Sequence, residues 1–193
     1  VKDIRPGIPD SFPQSLINVE GALFFTAFGD TVGRELWKSD GTAAGTVLVK
    51  DILSGFGGSD PNLLTNVDGT LFFTANNGLN GLELWRSDGT ETGTALVNDI
   101  VPGASGSSIQ WVTAVNDTVF YRPEDPVNGL ELWKSDGTEA RTVMVKDIIL
   151  GTGGSIPQLL RAVKENLFFF SDNGMNGEET WAGGLAANAL AND

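Results

Sequence analysis

Cysteine and histidine are both absent from these 193 residues. Without thiols there can be no disulfide and no thiolate metal site. Without imidazole the commonest general base and the commonest transition-metal ligand are missing together. That excludes a serine–histidine triad, a cysteine protease and a histidine-ligated zinc within this chain. Positive charge is scarce too: 12 basic against 25 acidic residues give a net charge of −13. Such a balance repels phosphate backbones and anionic lipid, so neither nucleic acid nor membrane insertion is expected. No apolar run is long enough to span a bilayer. The opening VKDIRPGIPD has no apolar signal core, so any secretion signal is expected to be already removed or to lie outside this segment. The 40% hydrophobic content suits a folded chain with a real core rather than a disordered one.

What is present is repetition. ELWKSDGT begins at Glu35, ELWRSDGT at Glu83 and ELWKSDGT at Glu131, and a degraded EETWAGG puts Glu179 and Trp181 in register. Trp37, Trp85, Trp133 and Trp181 are each 48 residues apart. VKDI at Val1, VKDI at Val49, VNDI at Val97 and VKDI at Val145 keep the same period, and four times 48 is 192, nearly the whole chain. The second repeat reads as four strands: Asn62 to Val67, Thr70 to Ala75, Leu82 to Asp88 and Thr94 to Ile100. Asp-Gly pairs between them are hairpin signals, because Asp and Gly tolerate the angles of tight turns. No capped segment of 3.6 period and helical length occurs.

Four short antiparallel strands repeated at this interval describe a propeller blade. The expected fold is all-β: a four-bladed β-propeller with blades near 13–52, 61–100, 109–148, and 157–182 plus 1–4. The chain starts on a fourth strand and stops after a third. Val1 to Ile4 is therefore expected to pair with Glu178 to Ala182 and close the ring, hiding both edges. Residues 185–193 carry no β pattern and are expected to form a mobile tail.

The eight-residue motif resembles that of the ELWxxDGT-repeat proteins of bacteria, a hyalin-like family. The resemblance covers nearly the whole chain, although the fourth copy lacks Ser-Asp-Gly-Thr. It implies a propeller-like fold and a secreted or cell-surface bacterial protein, and no defined activity.

Residues repeated in every unit are expected to be structural. The tryptophans should fill space between blades, Asp40, Asp88 and Asp136 should accept their own turn amides, and Glu35, Glu83 and Glu131 should pair with Lys or cap neighbouring amides. Function is expected where the units differ, in the loops between strands two and three and between strands four and one, which should share a face. Those loops carry Phe12, Phe28 and Phe56, aromatic plates suited to a sugar ring. The third unit diverges most, so Trp111, Tyr121 and Arg122 join the candidate ligand-binding residues. Asp30, Asn76, Asn77, Asp125, Asp172 and Asn173 offer oxygens for a weak calcium site, and the central channel could hold calcium or another cation on carbonyls.

The expected function is an extracellular, non-catalytic, lectin-like module that binds a glycan or protein partner. The alternatives are a structural unit of an adhesin or matrix protein and, less favoured, a carboxylate-dependent glycan-active enzyme. No acid pair among the 25 is singled out for the last, so no enzyme is expected. Oligomeric state is not indicated.

Overall fold

Alternating apolar residues and two-residue turns drive each repeat into an antiparallel meander. The turn Glu20-Gly21 has φ of 50° and 86°, and Asp68-Gly69 has 46° and 82°. Both central residues on the left-handed side give the twist that suits a tight hairpin. The computed structural model describes residues 2–7, 10–184 and 191–192, and the chain divides into two compact units, Val1–Gly106 and Ser107–Asp193.

The first unit holds two sheets. One runs β1 (Gln14–Val19), β2 (Ala22–Phe28), β3 (Arg34–Ser39), β4 (Val47–Lys50); the other runs β5 (Asn62–Val67), β6 (Thr70–Asn76), β7 (Leu82–Ser87), β8 (Ala95–Leu96). All pairings between these strands are antiparallel and join chain neighbours; two isolated parallel bridges, Arg34 to Gly58 and Leu82 to Gly106, tie the third strands to the following loops. Sheet 1 lays Val19, Phe24, Leu36 and Val49 against Leu71, Phe73, Ala75 and Trp85 of sheet 2.

The second unit repeats this plan. Sheet 3 consists of β9 (Gln110–Val115), β10 (Thr118–Arg122), β13 (Leu132–Ser135) and β14 (Val143–Lys146), with a side ribbon of β11 (Glu124–Asp125) and β12 (Gly129–Leu130). The ribbon arises because Pro123, which has no N–H for a ladder, ends β10 where the other repeats continue. Sheet 4 consists of β15 (Gln158–Val163), β16 (Asn166–Asp172), β17 (Glu178–Gly184) and β18 (Ala191–Asn192). Its core joins Val115, Phe120 and Leu132 to Leu160, Leu167, Phe169 and Trp181. Val19, Phe24, Leu36, Leu64, Leu71, Phe73 and Trp85 of the first unit have these as counterparts two repeats on, so one packing scheme is used twice. Trp37, Trp85 and Trp181 are buried and Trp133 half-buried.

The first strands of the four sheets share a kink. Ser15, Leu63, Trp111 and Leu159 have φ of 53°, 53°, 56° and 54°, at a register shift in the pairing with the second strand. This is a β-bulge, which bends the strand and re-aims its start.

The expected closure is corrected. The edge of β17 carries β18, with Trp181 opposite Asn192 and Ala182 opposite Ala191. Of the expected closing strand, Val1 lies outside the described residues and Lys2–Ile4 belong to no strand. Side chains hold them instead: Lys2 Nζ donates to Thr46 O at 3.1 Å, and Ile4 packs on the cluster of Phe25, Ala27 and Trp37. The end of sheet 1 treats sheet 2 in the same way. Lys50 Nζ donates to Thr94 O at 2.9 Å and Ile52 packs against the cluster that contains Trp85. The expected tail lies outside the described residues apart from Ala191–Asn192.

Candidate functional site

Each loop between the fourth strand of one repeat and the first strand of the next is fastened by a buried glutamate. Glu35 Oε1 accepts from Leu53 N (3.1 Å) and Ser59 N (2.8 Å), and Oε2 from Ser59 Oγ (2.5 Å). Glu131 does the same with Ile149 N (3.2 Å), Ser155 N (2.9 Å) and Ser155 Oγ (2.5 Å). Glu83 Oε1 accepts from Val101 N at 3.3 Å. Burial pushes the pKa of Glu35 and Glu131 up, outweighing the donors that favour ionisation. The ELW glutamates thus cap loop amides from fully buried positions.

The Ser-Asp-Gly-Thr turns are equally self-contained. Asp40 Oδ1 accepts from Thr42 N at 2.9 Å and Thr42 Oγ1 at 2.7 Å, and Asp88 and Asp136 repeat the pattern with Thr90 and Thr138. These bonds hold all three carboxyls below the usual range.

In the second, third and fourth repeats the loops after the second strands are Asx turns. Asn77 Oδ1 accepts from Leu79 N (3.0 Å) and Asn80 N (2.8 Å), and Asn173 Oδ1 from Met175 N (2.9 Å) and Asn176 N (2.8 Å). Asp125 accepts from Val127 N at 2.8 Å and Asn128 Nδ2 at 2.5 Å. Asn76 and Asp172 accept from Gly78 N and Gly174 N, both at 2.7 Å. Five of the six nominated metal ligands therefore bond within their own loops, while Asp30 is exposed. Among the described residues no three acidic side chains gather around one point. Asp51, Asp99 and Asp147 each bury one Oδ1 without a donor, but a single carboxylate supplies one ligand where calcium takes six to eight.

The nominated ligand-binding residues divide. Phe12 (55% exposed) meets Phe28 edge-on at 6.5 Å. Arg34 stacks over the Phe28 ring at 4.4 Å and Arg5 lies at 5.9 Å. Arg34 Nη1 donates to Phe12 O at 3.1 Å, so the cluster also braces the incoming chain. Phe56 projects freely at 82% exposure. In the third repeat Tyr121 is fully buried, Arg122 is buried and Trp111 packs on the core of sheets 3 and 4.

Sequence reasoning missed Leu79, Val127, Leu150 and Met175, which are 70–86% exposed. Leu79, Val127 and Met175 hold the same place in three loops, each next to an Asx acceptor that fixes it outward. The signal was available: NNGLNG, EDPVNG and DNGMNG all put an apolar residue at the fourth position. Two shallow grooves lie elsewhere. One of about 340 Å³ runs beside Ile4, Leu16, Leu23 and Phe25. Another of about 450 Å³ lies by Asp117, Lys134, Asp136 and Arg141.

No protein-family model matches the chain, and no curated protein matches it. Among solved structures, puromycin hydrolase is similar over 95% of this chain, with a TM-score of 0.61 and 11% identity. A structure from a study of two prolyl endopeptidases covers 90% with a TM-score of 0.58 and 12% identity. The chain spans 28% and 24% of the length of those two proteins. An α-L-arabinofuranosidase from Clostridium thermocellum matches at a TM-score of 0.42, too low to bear on the fold. The chain is all-β, built of several antiparallel sheets, with propeller-like neighbours. These neighbours correct the expectation of no enzyme, because the proteins that share the fold are hydrolases. Lacking histidine and cysteine excludes particular active sites within this segment. It does not separate the protein from enzymes.

Proposed function

We propose that the four sheets are the blades of one β-propeller and that its variable loops form a recognition surface for a protein partner. Two bare surfaces support the ring. On sheet 1, Leu16 and Leu23 are 62% and 37% exposed, whereas Leu64 and Leu71 at the same repeat positions pack in the core. On sheet 4, Val163 and Phe168 are 52% and 36% exposed, whereas Val19 and Phe24 at the same positions are buried. Each bare surface is the type that the other type covers within a unit, so closing a ring buries both.

The observation that carries the recognition reading is made in each unit by itself: Phe56 and Leu79 in the first, and Val127, Leu150 and Met175 in the second, stand exposed on loops made rigid by Glu staples and Asx turns. Rigid loops present side chains without the entropy loss that a mobile surface suffers on binding. Aliphatic side chains suit a protein surface better than a sugar, which stacks on aromatic faces. Placement outside a bacterial cell rests on the ELW motif alone.

A phage-displayed peptide selection tests the reading, run beside a glycan array with and without calcium. The reading expects peptides with an apolar core that bind the parent and not a variant with Phe56, Leu79, Val127 and Met175 changed to Ser. Peptides that bind both equally, or glycan binding alone, would overturn it.

A further inference from the structure

Arg122 is 7% exposed, and among the described residues its guanidinium makes no ion pair. Nη1 donates to Pro157 O at 3.0 Å. Nη2 donates to Gln110 Oε1, and the buried Nε has no acceptor. In sheets 1 and 2 the same position is threonine: Thr26 and Thr74 donate to the Gln14 and Asn62 carbonyls at 3.4 and 3.3 Å. A neutral hydroxyl therefore satisfies this position in both of those sheets, and in sheet 4 it is Phe170. Replacing it with a buried cation that meets only neutral acceptors is unfavourable unless something compensates. Burial pulls the Arg122 pKa down, in keeping with that strain on the charge.

The geometry of the fork says what would compensate it. Nη1 is committed on one edge to the Pro157 carbonyl. The other edge, Nε with Nη2, is the pair that grips a carboxylate with two parallel bonds. There Nε is unfilled and Nη2 is held by the side chain of Gln110. Gln110 is exposed and is the first residue of β9. Its amide oxygen sits where an anion's oxygen would sit, and its side chain can swing into solvent.

We propose that Arg122 anchors a carboxylate-binding subsite on sheet 3, with Gln110 as its displaceable cover. The carboxylate could belong to a sugar acid or to a peptide C-terminus. Exposed Glu124 lies two residues along the chain, and Glu178 is held by Gln158 Nε2 at 2.7 Å next to Pro157. With a net charge of −13 opposing anions generally, binding must come from the desolvated fork. The inference goes beyond the protein-recognition reading and stands without it.

Binding of glucuronate and of N-acetylglycine is measured by calorimetry and thermal shift at constant ionic strength. Glucose and N-acetylglycine amide serve as neutral controls. The proposal expects saturable binding of at least one carboxylate and none of its control. R122T, which restores the residue of sheets 1 and 2, should weaken binding at least about tenfold. Q110A should bind about threefold more tightly, because the cover is gone. Should R122T fail to fold, Arg122→Lys keeps charge without the fork and must show the same loss. Absence of saturable binding, or equal response in parent and fork variant, would overturn it and leave Arg122 as a brace to Pro157.

Discussion

Ser59 is joined twice to Glu35, its N–H and its hydroxyl donating to different carboxylate oxygens at 2.8 and 2.5 Å across 24 residues of chain. The pair sets the path of the whole loop from sheet 1 to sheet 2. Glu35→Ala strands buried donors at Ser59 and Leu53 and is expected to cost about 3 kcal/mol. Glu35→Gln keeps an oxygen at the Oε1 place for both the Leu53 and Ser59 amides and should cost less. Urea unfolding of the two variants checks the order; equal midpoints would show that the loop holds without the staple.

The same glutamates give the protein an unusual pH response. Burial raises the folded pKa of Glu35 and Glu131 above their ordinary 4.5. A raised carboxyl binds its proton more tightly folded than unfolded. Its contribution is therefore fully present below 4.5 and lost as pH rises through the folded value. Asp40, Asp88 and Asp136 act oppositely: their lowered pKa contributes stability above 3.8 that disappears on acidification. These aspartates are exposed, so the acid limb should be shallow. Chemical denaturation across pH is expected to show greatest stability on the acid side of neutrality. The fall toward neutral pH should flatten in a Glu35→Gln, Glu131→Gln double variant; an unchanged profile would contradict the assignment.

Neighbouring glycines offer a sharper contrast. A Cβ at Gly153 meets nothing within 4 Å, while one at Gly154, whose φ is +65°, would stand 2.3 Å from Leu130 N. Gly154→Ala must move backbone as well as adopt a strained angle, at a cost of more than about 2 kcal/mol. Gly153→Ala should change stability by less than about 0.5 kcal/mol. Thermal melts of the two variants decide this, and similar melting temperatures would mean that the loop does not approach β12 as described.

Much of this was legible from spacing. Strands β5, β6 and β7 fall within a residue of where the second repeat puts them. The fourth strand is shorter than expected, Ala95–Leu96 rather than Thr94 to Ile100, because the chain then turns into a loop whose Val101 amide bonds Glu83. Tyr121 looked like a distinctive surface residue, yet it aligns with the buried Phe25, Phe73 and Phe169 and is itself fully buried. Asn and Asp in the loops suggested metal ligands, but a short polar side chain beside free amides bonds them first. The edge partner of β17 was not legible, since nothing in Ala191–Asn192 marks a strand.

The propeller ring is the central claim, and pulsed electron–electron spacing measurements test it most directly. Because the chain has no cysteine, spin labels can be placed in pairs at Glu20, Asp68, Asn116 and Lys164, the exposed and repeat-equivalent turn positions. A closed four-bladed ring predicts that Lys164–Glu20 equals Glu20–Asp68, with Glu20–Asn116 about 1.4 times longer. A Lys164–Glu20 separation greater than Glu20–Asn116 would contradict it, leaving the repeats as an open arc.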